Sequence, residues 1–149
     1  MTASPLPTPD AWYVETSAVL RVLAEGDQQL ARELRHAKRL VTSILTLVEC
    51  ERGLRRAVTD RRLDAQQHRA GQRWLARFSR ANVLVALSET VIEYAKRAFP
   101  AEPVRTLDAI HLATIKVWDE SFGMAGVLST DARVRDNAAA WGLAVLPES

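Results

Sequence analysis

The chain has 149 residues, of which 48% are hydrophobic and 26% charged, a balance typical of one compact domain. A chain of this length buries enough surface to fold without disulfides or a structural metal, and its one cysteine, Cys50, cannot close an intramolecular bridge. No stretch approaches the ~18 apolar residues of a membrane span, and no basic segment followed by an apolar core opens the chain. We therefore expect a cytoplasmic protein, and neither membrane spanning nor signal-directed export.

Charge is distributed unevenly along the chain. Twenty Lys and Arg oppose eighteen Asp and Glu, a net charge of only +2. Residues 52–80 hold nine arginines and two aspartates, a local charge of +7, so the remainder of the chain carries −5. This polarity suits a protein that meets a polyanion while its acidic groups collect elsewhere, although a basic helix is also an ordinary solvated surface.

The order of the predicted elements indicates an α/β fold. Residues 1–10 contain three prolines and no apolar periodicity, which predicts an N-terminal tail before a single domain over residues 11–149. The predicted strands are residues 12–14, 40–42, 83–85, 127–129 and 144–146. The predicted helices are residues 18–23, 28–37, 45–56, 64–78, 89–98, 107–119 and 132–141. This alternation predicts a mainly parallel five-stranded sheet flanked by helices.

Several predicted helices begin near a polar residue that can accept a hydrogen bond from the first turn. These candidate N-caps are Thr16, Asp27, Ser88, Thr106 and Asp131. The breaks at residues 100–103 and 123–126 and at Gly142 are short, so none of them separates two independent units.

Four acidic residues lie near the predicted carboxyl ends of strands. Glu15 and Asp131 follow the first and fourth predicted strands, and Glu49 and Asp108 lie in the first turns of two predicted helices. The carboxyl ends of parallel strands share one edge of a sheet, where α/β proteins bind their ligands. We therefore expect the four carboxylates to face one rim.

Carboxylates brought together in this way need a neutralising partner. Two full charges ~4 Å apart repel by about 4 kcal/mol at an effective dielectric constant of 20. Mg²⁺ or Mn²⁺ would neutralise them with oxygen ligands and retained waters, whereas proton sharing would raise one pKa. A divalent ion would also lower the pKa of its bound water and stabilise charge on a phosphoryl group during in-line displacement. The acids therefore favour metal-assisted hydrolysis.

A specific combination of short segments surrounds these acids. The segments are residues 13–18 (YVETSA), 46–49 (TLVE) continuing into 51–54 (ERGL), 105–113 (RTLDAIHLA), 129–131 (STD) and 138–143 (AAAWGL). In this order and at these separations they resemble the PIN-domain ribonucleases and, within them, the toxins of bacterial toxin–antitoxin pairs called VapC. The resemblance covers about residues 12–146.

The resemblance implies an endoribonuclease that depends on Mg²⁺ or Mn²⁺, forms a homodimer and is restrained by a small antitoxin covering its acidic site. It implies that the catalytic and metal-binding acids are Glu15, Glu49, Asp108 and Asp131. It also implies that the hydroxyls of Ser17 and Thr130 support the site by holding water, metal or phosphate.

The chain departs from the family pattern at the first acid, which is normally aspartate and here is Glu15. Because Mg²⁺ requires near-octahedral geometry at about 2.0–2.1 Å, one extra methylene predicts a shifted ion, a preference for Mn²⁺ or weaker binding. An alternative hypothesis follows: a catalytically impaired PIN-like module that binds RNA or protein without cleaving it. A third hypothesis, a phosphate-accepting switch similar to response regulators, lacks the acidic pair and the lysine of that class.

The site residues also have ordinary structural interpretations. Asp131 could cap the helix that follows it, and a carboxylate at Asp108 is favoured by the dipole of its helix without any catalytic duty. Arg105 could pair with Asp108 or with a substrate phosphate. For these residues a structural and a functional role remain open together.

Two further polar residues on these helices are expected to be structural. His111 lies one turn after Asp108 within an amphipathic run, where a histidine is more often part of the packing than a general base. Glu51 cannot face the same way as Glu49, so we expect it to pair with Arg55 one turn later.

An arginine stripe marks the basic region. Arg69, Arg73 and Arg77 recur every fourth residue and share one helical face, where they could contact RNA phosphates without reading sequence or could simply be solvated. Trp74 and Phe78 are also four residues apart, and we expect them to pack within the protein rather than stack on RNA bases.

Overall fold

Five strands and seven helices alternate along residues 9–148, the part of the chain described by a computed structural model. The strands are β1 (Ala11–Val14), β2 (Arg39–Ser43), β3 (Val83–Val85), β4 (Gly126–Leu128) and β5 (Ala144–Leu146). The helices are α1 (Thr16–Glu25), α2 (Gln28–His36), α3 (Ile44–Thr59), α4 (Ala65–Ala81), α5 (Glu89–Ala95), α6 (Thr106–Phe122) and α7 (Ala132–Ala140). Most of the predicted N-terminal tail lies outside the described residues.

All five strands are parallel and form one sheet in the order β3-β2-β1-β4-β5. The central strand β1 pairs with β2 on one side and β4 on the other, so Tyr13 stands opposite both Val41 and Val127. The chain thus changes direction across the sheet between β1 and β4. In open α/β sheets this switch point, at the carboxyl ends of the strands, is where a ligand crevice forms.

The two faces of the sheet bury separate apolar clusters. Because neighbouring residues of a strand point to opposite faces, Val14 packs with Leu30 and Leu54 on one face, while Tyr13 packs with Leu112 on the other. Covering both faces with helices is typical of parallel sheets, and it leaves the edge formed by the strand ends as the place for polar side chains.

The predicted α/β fold with a parallel five-stranded sheet is confirmed. Two of the predicted caps are wrong: Thr16 and Thr106 are the first residues of α1 and α6, not the residues before them. Glu15 caps α1 instead, and Arg105 precedes α6 without a side-chain cap bond. The other three candidates, Asp27, Ser88 and Asp131, do cap their helices.

Side-chain packing decided two further predictions. Phe78 is buried and Trp74 stacks on it with ring centroids 5.1 Å apart, so the expectation of internal packing is confirmed. The expected pair of Glu51 with Arg55 is wrong, because Glu51 accepts a hydrogen bond from Gln72 of the neighbouring helix α4 at 3.3 Å. Among the described residues, no helix has the length and apolar character needed to cross a membrane.

Candidate active site

The four predicted acids lie at the carboxyl edge of the sheet. Glu15 directly follows β1, Glu49 lies in the second turn of α3, Asp108 lies in the first turn of α6, and Asp131 precedes α7. Their charges are coupled: burial raises the pKa of Asp108, and the negative charges of Asp131, Glu15 and Glu49 raise it further. The structure therefore brings these carboxylates into one electrostatic environment.

Glu15 is held by three hydrogen bonds that enter the same carboxylate oxygen, Oε2. The backbone N–H of Ser17 donates at 3.1 Å, the Ser17 hydroxyl also donates, and the Ser129 hydroxyl donates at 2.8 Å. The residue is only 5% exposed. A carboxylate oxygen offers about two acceptor positions, so Oε2 is fully used and Oε1 is the oxygen available to a ligand.

Glu49 is anchored in the same way through its oxygen Oε1. The Nε2 atom of His111 lies 2.5 Å from it, and the Thr16 hydroxyl donates to it at 2.7 Å. Burial alone would raise the pKa of Glu49, but the hydrogen bonds from His111 and Thr16 and the attraction of His111 outweigh it, and the net shift is downward. Glu49 is therefore held as a carboxylate, with Oε2 free for a ligand.

Of the two roles that the sequence leaves open for Asp131, the structure shows the helix cap. Its Oδ1 atom accepts hydrogen bonds from the backbone N–H groups of Arg133 and Val134 at 3.0 and 3.1 Å, so it caps α7. Those bonds use Oδ1, and within residues 9–148 the second oxygen has no hydrogen-bond donor. Glu15, Glu49 and Asp131 thus share one arrangement. In each, one carboxylate oxygen accepts hydrogen bonds from hydroxyl, backbone N–H or imidazole donors, and the other oxygen accepts none from these donors.

The supporting hydroxyls form a small network around Glu15. The Ser17 hydroxyl, which donates to Glu15, accepts a hydrogen bond from the backbone N–H of Thr130 at 2.8 Å. Thr130 therefore contributes its backbone to this network. Sequence reasoning missed Ser129, whose hydroxyl donates to Glu15 and accepts from the N–H of Asp131 at 3.0 Å. The sequence pattern predicts Ser129 only as the last residue of a strand, although the segment STD contains it.

Three buried residues that the sequence does not predict in the site hold Glu49, two of them directly and Tyr13 through His111. His111, Tyr13 and Thr16 are each at most 5% exposed. The Tyr13 hydroxyl lies 2.6 Å from Nδ1 of His111, and burial raises the pKa of Tyr13. The expectation that His111 is buried in the packing is correct, but its contact with Glu49 connects that packing to the candidate site.

No Lys or Arg side chain within residues 9–148 neutralises the four acids. The ion pairs within 4.0 Å join Arg21 to Glu25, Arg62 to Asp60, and Lys96 to Glu93, besides the contact of His111 with Glu49. The suggested pair of Arg105 with Asp108 is therefore absent in the described residues, and Arg105 is exposed.

The donor set fits a hard divalent cation, because carboxylate and hydroxyl oxygens are the ligands that Mg²⁺ and Mn²⁺ prefer. In the described part of the chain, no three acidic, histidine or cysteine side chains stand at direct-ligand spacing around one point. Mg²⁺ commonly keeps several of its waters and takes only one or two protein carboxylates directly. The residues therefore suit a hydrated ion that some acids contact through water.

The arginine stripe of α4 lies on the surface. Arg69, Arg73 and Arg77 are all exposed, as a phosphate-binding face requires. Their exposure agrees equally with a solvated helix face, so their contact with RNA stays a prediction.

Asp108→Asn should stabilise the protein at neutral pH. A carboxylate whose folded pKa is raised destabilises the native state wherever it is ionised, so removing the charge relieves the repulsion. We expect the free energy of unfolding at pH 7 to rise by up to about 1 kcal/mol, since solvent screens part of the repulsion. The gain should vanish as the pH falls below the pKa of an unfolded aspartate, where both states are protonated.

Urea unfolding at pH 7 and at pH 3.5 measures this difference. Asp136→Asn is the matched control, because Asp136 is exposed on α7, and it should change stability little at either pH. Equal or lower stability of Asp108→Asn at pH 7 would contradict the repulsion.

Comparison with known sequences places the chain in one family. The family model for the PIN domain matches residues 12–140. Ribonuclease VapC35 of Mycobacterium tuberculosis is 35% identical over 139 residues, which span 90% of this chain and 94% of the relative. Ribonuclease VapC46 of the same species is 33% identical over 141 residues, which span 93% and 98%.

Two solved structures share the fold. Pyrobaculum aerophilum PAE2754 has a TM-score of 0.59 at 19% identity, covering 91% of this chain and 82% of that one. Mycobacterium tuberculosis VapC20, described as a Sarcin-Ricin loop cleaving toxin, has a TM-score of 0.60 at 18% identity, covering 92% and 99%. With the sequence match over most of its length, the chain belongs to the PIN domain family.

Proposed function

We propose that this chain is a divalent-metal-dependent endoribonuclease and the toxin of a toxin–antitoxin pair. The observation that carries the proposal is the cluster of four coupled acids without a Lys or Arg partner in residues 9–148, in a chain similar to VapC ribonucleases. The substrate is RNA, and the reaction is hydrolysis of a phosphodiester bond by water. The names of both sequence relatives favour this activity over an impaired binding module.

The four acids would bind the cation, and the hydrogen-bond donors around them would hold the acids in place. We assign metal contacts to Glu15, Glu49, Asp108 and Asp131, with Ser17, Ser129, Thr130 and Arg105 in support. When bound, Mg²⁺ or Mn²⁺ would lower the pKa of a water molecule that it binds and would stabilise negative charge on the phosphoryl group. The raised pKa of Asp108 reflects repulsion from the other three acids, which a bound cation would relieve.

The carboxylate of Glu15 keeps a position suited to binding the cation, although its side chain is one methylene longer than that of aspartate. The added length is taken up where Oε2 bends back to Ser17 and across to Ser129, so the side chain does not extend straight into the rim. We infer that Glu15 binds the cation through Oε1 and that the site is active as it stands.

The partners follow from charge and exposed apolar surface. RNA would lie along the exposed arginines of α4, whose contacts with phosphate are independent of sequence. A small antitoxin would restrain the enzyme by covering the acidic rim. A second copy of the chain would cover an apolar surface formed by α3, α5, the start of α6 and the loop after β3.

Large side chains exposed on these elements define that apolar surface: Ile44, Val48, Leu87, Ile92 and Leu107. The elements are neighbours, because β3 pairs with β2, which leads into α3, and α5 packs along α6. An exposed patch of several large apolar side chains marks an interaction surface. We propose that it forms the homodimer contact.

Cleavage should require a divalent cation. We expect the purified protein to cut RNA from a mixture of bacterial tRNA and ribosomal RNA in Mg²⁺ or Mn²⁺, to stop in excess EDTA and to recover when metal is restored. Asp131→Asn should lower the initial rate by about 100-fold, because it removes one charged ligand while an amide oxygen can still cap α7. Glu15→Asp should cleave at an equal or higher rate.

Asp136→Asn is the charge-matched control and should cleave like the wild type, since this exposed acid lies outside the site. Unchanged cleavage in excess EDTA would refute the metal-dependent mechanism. RNA binding without cleavage in either metal would instead favour the impaired module, and much lower activity of Glu15→Asp would contradict the role given to Glu15.

The arginine stripe should contribute to the salt dependence of RNA binding. Replacing Arg69, Arg73 and Arg77 together by Ala should weaken binding of single-stranded RNA. If each arginine neutralises one phosphate, the slope of log affinity against log salt concentration should fall by about 2. Fluorescence anisotropy in EDTA over a salt series measures the slope without cleavage.

A triple Ala variant at other exposed basic positions matches the charge change, with Arg32, Lys38 and Arg39 replaced. We expect it to leave the slope nearly unchanged. Equal slopes for both triple variants would assign the stripe to a solvated surface and not to RNA contact.

Val48→Glu should convert dimers into monomers. Val48 is the most exposed side chain of the apolar surface, at 60%, and in the proposed dimer a charge there would be buried by a second copy at high cost. Light scattering after size exclusion should give twice the chain mass of 16.6 kDa for the wild type and a single chain mass for the variant. Phe122→Glu is the control, because Phe122 is 71% exposed at the far end of α6 and should leave the dimer intact. A monomeric wild type would contradict the proposal.

A further inference from the structure

His111 occupies a position between the protein interior and the candidate site. It lies on α6 and has no exposed surface. Its Nδ1 atom is 2.6 Å from the hydroxyl of Tyr13, which is also fully buried, and its Nε2 atom is 2.5 Å from Oε1 of Glu49. The Thr16 hydroxyl lies farther from Nε2, at 3.3 Å, so Glu49 is the nearest partner of that nitrogen and Tyr13 is the partner of Nδ1.

These partners determine where the ring proton lies. An ionised carboxylate oxygen only accepts hydrogen bonds, so Nε2 must carry a proton to bond with Glu49. Nδ1 then accepts from the Tyr13 hydroxyl when the ring is neutral and donates to it when the ring is an imidazolium, so Tyr13 holds the ring in either form. A neutral ring with the other tautomer would direct a lone pair at the carboxylate. Nε2 of His111 thus donates to Glu49, and the Tyr13 hydroxyl pairs with the opposite ring nitrogen.

The same contact links two of the candidate acids. His111 and Asp108 are one turn apart on α6, whereas Glu49 belongs to α3. The bond between His111 and Glu49 therefore joins the two helices that carry these acids and limits how far apart they stand. The Thr16 hydroxyl donates to the same oxygen at 2.7 Å, so both donors occupy Oε1 and neither occupies Oε2 of Glu49.

We propose that His111 is a positioning residue, which orients Glu49 for the cation by donating from Nε2 while Tyr13 fixes the ring. This inference rests on the proposed metal-dependent function. A histidine that only filled space would need no particular nitrogen facing Glu49. Groups that orient a metal-binding carboxylate are typically worth about 10–100-fold in metal affinity, which sets the size of the expected effect.

Two substitutions separate positioning from packing. In His111→Gln the amide nitrogen can take the place of Nε2, whereas in His111→Asn the shorter side chain places its amide near Nδ1 and leaves Glu49 without that donor. We expect Mn²⁺ affinity, measured by titration with electron paramagnetic resonance, to fall by less than about 3-fold for Gln and by at least about 10-fold for Asn. Equal losses in two folded variants, or no loss in either, would overturn the proposal.

The ring itself can be observed in the folded wild type without any His111 substitution. The chain has three histidines, so ¹⁵N spectra of the imidazole rings can be assigned with His36→Gln and His68→Gln variants. We expect the His111 ring to carry its proton on Nε2, and we expect Glu49→Gln to shift that nitrogen more than those of the other histidines. A ring protonated on Nδ1 alone would overturn the proposal even if both His111 variants fail to fold.

Tyr13→Phe tests the outer half of the arrangement, because it removes one hydroxyl that touches neither Glu49 nor substrate. We expect the Nδ1 signal of His111 to move and Mn²⁺ affinity to fall by several-fold. Unchanged values of both would contradict the role of Tyr13.

The outcomes also separate this inference from the proposed function. A wild type that binds Mn²⁺ and cleaves RNA, with variants that bind equally well, refutes the positioning role alone. A wild type that binds neither Mn²⁺ nor Mg²⁺ refutes the proposed function and with it the role of His111 towards a cation, while the ring spectrum still decides whether Nε2 donates to Glu49.

Discussion

Repulsion among four carboxylates at one edge of the sheet is the constraint on which the rest of the site depends. The raised pKa of Asp108 records it, since burial and three neighbouring negative charges all oppose ionisation there. The groups that hold the other acids are hydroxyls, backbone N–H groups and one imidazole. Such donors fix the position of a carboxylate without the full cationic partner that Lys or Arg would supply. The fold therefore preserves negative charge that a bound cation can use.

Helix capping is the means by which two of these acids are fixed. Glu15 caps α1 and Asp131 caps α7, and these helices begin beside each other because β1 and β4 are neighbouring strands. A capping hydrogen bond stabilises a helix because it pairs a backbone N–H group that has no partner within the helix. The same bond fixes one oxygen of the capping carboxylate. The hydrogen bonds that cap these helices are therefore the same bonds that fix the two acids. Only the second oxygen of each carboxylate is left for a functional role.

The sequence was sufficient to predict what depends on local pattern and topology. Short apolar runs predicted the positions of all five strands. Because the carboxyl ends of parallel strands lie at one edge of a sheet, the same pattern predicted that the four acids lie at that edge. The partners of those acids were beyond reach because they are distant in the chain: Tyr13 contacts a histidine 98 residues away, and Ser129 contacts Glu15 across 114 residues. No periodicity connects such positions. The predicted cap at Thr16 was wrong for a smaller reason: α1 begins two residues earlier than predicted, at Thr16, so the residue before it is Glu15.

The length of Glu15 illustrates why a substitution cannot be judged by reach alone. From the sequence, one more methylene than aspartate predicts a carboxylate displaced towards the ion. In the folded chain the side chain curls back so that Oε2 meets Ser17 in its own helix and Ser129 at the end of β4. The extra length is thereby used to connect two neighbouring strands of the sheet at their carboxyl ends. The ability of an acid to bind a metal then depends on which carboxylate oxygen has no hydrogen-bond donor. For Glu15 that oxygen is Oε1.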